Sequence, residues 1–137
     1  MELAQVMESF RQELSTHYRA VRITSVQTPE QMLREIKSIN PDRLPGVVLV
    51  LDQVQHLSPT GVTEIQVSAV IIDRFTADSD SRAIGVLRAA DTLLTLYPPS
   101  GRQFGADAWV CPTDAVAATP DPQYAAIAVG LTVKTGF

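Results

Sequence analysis

The stretch that decides the fold is residues 46–75, GVVLVLDQVQHLSPTGVTEIQVSAVIIDRF. Val47 to Leu51 is a run of five apolar residues without alternation, which is how a strand buried on both faces reads. Ser58-Pro59-Thr60-Gly61 is turn chemistry. After it, Ile65, Val67, Ala69 and Ile71 take one face of a second long strand, while Glu64, Gln66 and Ser68 begin the other; from Val70 to Ile72 both faces turn apolar. Two such strands around one turn predict an antiparallel hairpin.

Upstream, Leu3, Val6, Met7, Phe10, Leu14 and Tyr18 recur at spacings of three and four, so residues 2–18 read as an amphipathic helix without a strong N-terminal cap. Residues 20–26 alternate as a strand. Thr28, Pro29 and Gln31 then carry the signature of a helix start, with Met32, Leu33, Ile36 and Ile39 on its apolar side and Pro41 ending it.

Downstream, the polar run Thr76 to Ser81 leads into a helix over about 80–97, with Ile84, Leu87, Ala90, Leu94 and Tyr97 on its apolar side and Ala83, Val86 and Leu93 beside them, closed by Pro98-Pro99-Ser100-Gly101. Ala108 to Cys111 reads as a short strand, residues 112–122 as a turn-rich loop, and Tyr124 to Thr135 as a last strand. In that strand Ala126, Ala128 and Gly130 leave one face small enough for a closely packed helix.

No linker or repeat divides the chain, so residues 1–137 read as one domain. The element order predicts an α+β fold: a split β-α-β-β-α-β-like, mostly antiparallel sheet covered by helices, two of them sharing one face, with an extra N-terminal helix and C-terminal strand.

Composition narrows function. At 137 residues the chain is long enough to hold a core without staples. With 45% apolar and 19% charged residues it reads as globular. A net charge of −4, with the 11 basic residues scattered along the sequence, argues against a duplex-binding module. The single cysteine, Cys111, forms no internal disulfide. The opening MELAQVMESFRQEL has no basic segment followed by an apolar run, so intracellular folding is expected, with no membrane span.

No catalytic, metal or cofactor residue set is expected. His17 and His56 lie in different elements without a ligand-spaced partner and read as ordinary surface residues. Cys111 reads as a half-buried strand residue. Asp107, Asp114 and Asp121 do not follow calcium-loop spacing, and Gly101, Arg102 and Gly105 are not a phosphate loop. Gly85 reads either as a close-packing position or as a tolerated helical glycine. Trp109 reads as core. Asp78, Asp80 and Arg82 read either as a solvated capping loop or as a charged contact to a neighbouring subunit. Arg102 and Phe104 complete the interface candidates, with Phe104 also a weaker core candidate than Trp109.

The amphipathic first helix, the strand GVVLVL, the outgoing strand EIQVSAVIIDRF, the short Ser/Asp loop, the helix SRAIGVLRAADTLLTLYPPSG and the closing YAAIAVGLTVKTGF resemble, in order and pattern, the tail terminator (tail completion) proteins of tailed phages. The likeness is to the Mu-like prophage group and more distantly to the lambda type, and it covers most of the chain. It implies a structural protein without catalytic residues or cofactor. Such a protein forms a homo-oligomeric ring, usually hexameric, which caps the tail tube protein, stops its polymerisation and meets the head–tail connector protein. DNA passes through the ring without specific binding, and the protein resides in the virion neck after assembly in the host cytoplasm. The competing expectation is a small-ligand regulatory module of ferredoxin-like type.

Overall fold

The structure is a computed structural model and describes residues 2–24, 28–57, 61–74, 84–105, 107–121 and 123–136. Helix α1 (Leu3–Ser15) leads into strand β1 (Ala20–Thr24), helix α2 (Pro29–Ser38) and a 3-10 turn at Pro41–Arg43. Strands β2 (Gly46–Leu57) and β3 (Val62–Arg74) follow, then α3 (Ile84–Leu96), β4 (Arg102–Phe104), β5 (Ala108–Asp121) and β6 (Tyr124–Gly136). The six strands form one sheet in the order β1-β2-β3-β6-β5-β4, antiparallel except for β1 beside β2.

The α+β class, the mostly antiparallel sheet with its helical cover, the added N-terminal helix and the C-terminal strand are those read from the sequence. So is the hairpin: β2 and β3 pair from Gly46↔Ile72 out to Leu57↔Val62. The split arrangement of the first β-α-β unit is corrected, because no strand is inserted between its two parallel strands. β1 and β2 are direct neighbours, with α2 as the crossover between them. The N-cap of α2 is as expected, Thr28 Oγ1 accepting the Gln31 N–H at 3.3 Å. α1 has a cap the sequence reading missed: the Glu2 N–H donates to Gln5 Oε1 at 2.9 Å.

Helix placement corrects the expectation that the two helices of the motif share a face. Alternation along the strands sends Val47, Leu49, Ile65, Val67, Ile127, Val129 and Leu131 to one face, where α1 and α3 cover them. It sends Val48, Val50, Ile72, Tyr124 and Ala126 to the other, where Ile36 of α2 and Ile39, its C-cap, meet them. We call these the closed and the open face. α2 also approaches β5 on the far side of the sheet, so the sheet curls around it. In α3 the buried stripe is Val86, Ala89, Ala90 and Leu93, leaving Ile84 and Leu87 exposed, so the helix is rotated from the expected orientation. Gly85 has a packing reason, because a Cβ there would fall on the Asp73 carboxylate.

The largest departure is β5. Residues 112–122 read as a loop, yet the strand runs through Pro112 to Asp121 and forms a second long hairpin with β6. The prolines are tolerated because β4 pairs only with Ala108 to Val110; beyond that, β5 is an edge with no ladder partner on its outer side among the described residues. A bulge sets Thr113 and Asp114 against Gly130, where any side chain would collide with theirs.

Candidate interaction surface

The closed face is filled from within. Phe104 is fully buried and lies 4.5 Å, centroid to centroid, from Phe10; Tyr97 meets Phe10 edge-on at 5.5 Å. This corrects Phe104 as an interface candidate, for its ring is core. It also corrects Trp109 as core, for the indole is 49% exposed. One register explains both: Phe104 pairs with Ala108 and shares its inward direction, and the next residue along the strand, Trp109, must point the other way. A Cβ at Gly101, where φ is +81°, would meet the Trp109 indole, so the ring lies over that glycine.

Arg102, the other described interface candidate, is engaged inside the chain. Its guanidinium donates to Glu13 Oε2 at 2.6 Å and to the Leu96 carbonyl at 2.8 Å, and it lies 5.0 Å from the Tyr97 ring centroid. The Tyr97 hydroxyl donates to the same Glu13 oxygen at 2.6 Å. This cluster ties β4 to the ends of α1 and α3, and burial, with the Glu13 carboxylate beside it, holds the Tyr97 phenol well above its ordinary range. Tyr18 does similar work at the start of β1. Its hydroxyl donates to the Ala89 carbonyl, and burial pushes its pKa up to about 12. Asp78, Asp80 and Arg82 lie outside the described residues.

The open face has a different character. α2 is 10 residues long, about 15 Å, whereas β3 and β6 each run 13 residues, about 43 Å. One short helix therefore leaves much of this face uncovered. The bare part is a set of cross-strand rows. Ser68 and Gly130 begin it beside the buried Val50; Gln53, Gln66 and Cys111, flanking the buried Thr132, form the next row, and Gln55, Glu64, Lys134 and Trp109 the last. Ser68 donates to Asp52 Oδ2 at 2.5 Å, and opposite charges, Glu64 and Lys134, stand directly across from each other. Nearer α2, on the edge strand, Val116 is 57% exposed. His56 belongs to the hairpin arm, its Nδ1 hydrogen-bonded to Thr63 Oγ1 at 3.0 Å.

A third feature escaped the sequence reading. A cavity of about 540 Å³ opens where α1 and α2 both end, and its walls carry four arginines, Arg11, Arg19, Arg22 and Arg43. They come from α1, the α1–β1 connection, β1 and the 3-10 turn, so no window of sequence shows them together. Arg11 pairs with Glu8 at 3.0 Å, and Arg19 donates to the Asp42 carbonyl at 3.2 Å. Among the described residues no three His, Cys, Asp or Glu side chains gather where they could hold a metal ion, and no helix is long and apolar enough to cross a membrane. No protein-family model matches the chain, and no curated protein matches it significantly.

Proposed function

We propose that this chain is a structural assembly protein of the tail-terminator kind. Copies close into a ring, six-membered by the family resemblance. The ring seats on the last ring of a tail tube protein, stops its polymerisation, and meets the head–tail connector. DNA traverses it without specific contact. The chain turns over no substrate in this reading, and its place is the virion neck, reached from the host cytoplasm.

The observation that carries the reading is the bare zone of the open face. Its rows of Gln, Ser, Glu and Lys form a polar surface, and the exposed Trp109 beside them is an aromatic anchor of the kind protein contacts favour. Strand addition is the less favoured mode of contact. The outer edges among the described residues are β1, β4, β2 beyond Val50 and β5 beyond Val110; β1 and β4 are short, at five and three residues, and β2 and β5 are interrupted by bulges, with Pro112 on β5. In this reading a ring joins through side chains and faces, with two different patches per copy.

The test is light scattering and electron microscopy of the purified protein, alone and with tube protein. Rings of uniform size, or tubes capped at a fixed length, are expected. A chain that stays monomeric and leaves tube length unchanged sinks the reading. A second reading, the small-ligand regulatory module, is favoured by one feature, the arginine-lined cavity, whose volume lies in the small-molecule range. It predicts a monomer whose melting temperature rises with an anionic metabolite.

A further inference from the structure

We infer that the four-arginine cavity receives the acidic segment Asp78-Ser79-Asp80 of a neighbouring copy of this chain. The inference rests on the ring reading and supplies a pair of complementary patches for it.

The cavity's charge balance defines what it takes. Four guanidinium groups line it, out of 11 basic residues in the chain. Glu8 answers one, through Arg11. The C-terminal ends of α1 and α2 open at the cavity, with Ser15 and Ser38 in its wall, and each helix end carries about −0.5 charge. That leaves about two positive charges unanswered. Asp42 answers Arg19 with its backbone carbonyl, and its carboxylate is not in the wall. All four arginines are exposed, and Arg22 and Arg43 pair with no carboxylate among the described residues. The site is therefore a basic patch on a chain of net charge −4, with room for a peptide segment and a preference for two negative charges.

Within the sequence one segment carries that charge at short range. Asp78 and Asp80 are two residues apart, while any other two neighbouring carboxylates are at least five apart. Guanidinium forks bind carboxylates in bidentate fashion, which gives such a contact direction as well as attraction. A copy that offers an arginine cavity and also carries an Asp-Ser-Asp segment has the two unlike groups a head-to-tail contact in a cyclic ring requires.

The experiment is a charge swap read by light scattering and electron microscopy, with thermal melts as the folding control. Arg22→Glu with Arg43→Glu should raise the concentration at which rings form by at least ~10-fold, as should Asp78→Arg with Asp80→Arg. The chain carrying all four substitutions should recover assembly, since both patches are reversed together. Wild-type rings should loosen in high salt. Rings unaffected by either pair, or no recovery in the fourfold variant, overturn the inference and leave the ring reading standing. A wild-type chain that never assembles overturns both. If inorganic phosphate raises the wild-type melting temperature, the Arg22→Glu, Arg43→Glu chain loses that rise, and its rings persist, the cavity is a small-anion site and the inference falls. Recovery of melting temperature without recovery of assembly would place the contact inside one chain, which also overturns it.

Discussion

The two faces of the sheet are built from the same strands and differ in almost everything else. On the closed face, α1 and α3 cover a continuous apolar layer, three aromatic rings interlock, and Glu13, Arg102 and Tyr97 seal the edge. On the open face, one ten-residue helix shelters a small cluster, and beyond it the rows are Gln, Ser, Glu and Lys with a half-exposed tryptophan. The contrast teaches a division of labour. Burial is complete on the closed face, whereas part of the open face stays exposed within the chain.

The comparison is broken most forcefully on the closed side. Phe104→Ala removes a fully buried ring packed on Phe10 and should cost about 3–5 kcal/mol, read as a lower urea midpoint. A cost below about 1 kcal/mol would mean the aromatic layer is not the seat of stability. A smaller effect appears at high pH. The unfolded chain releases the Tyr18 proton near pH 10.0, while the folded chain, with its pKa raised to about 12, holds it. The stability that this retention supplies is fully present below pH 10 and is lost as pH climbs from about 10 to about 12, at up to about 1.4 kcal/mol per pH unit. Urea midpoints measured across that window should fall, and Tyr18→Phe should make the fall shallower. An unchanged slope in the variant would mean the phenol is not sequestered. The smallest effect belongs to the open side, where Val116→Ser should leave monomer stability within about 0.5 kcal/mol while weakening assembly. A large loss of monomer stability would show that the open face is already packed.

What was legible in the sequence follows from what local pattern encodes. Val47 to Leu51 announced a two-sided buried strand, and Thr28-Pro29 announced a helix start, because each signal is complete within a few residues. Residues 112–121 misled because proline reads as a breaker wherever it stands; only the absence of a partner on one side of β5, a tertiary fact, makes it harmless. Phe104 and Trp109 exchanged roles because β4 was not foreseen, and without its register neither ring had a known direction. The arginine cavity was beyond reach for another reason. Its four side chains are brought together by the meeting of two helix ends at β1, and nothing in their spacing foretells that meeting.

Trp109 gives the molecule an optical handle. It is the one tryptophan in the sequence, its ring lies over Gly101 at the rim of the uncovered rows, and about half of its surface is in water. Its ultraviolet emission will therefore report on that rim with no dye attached. Contact that dries the ring will shift the spectrum to the blue, and an added quencher will then reach it less easily. Against a partner without tryptophan, occupancy of this face can be followed in real time without altering a single residue.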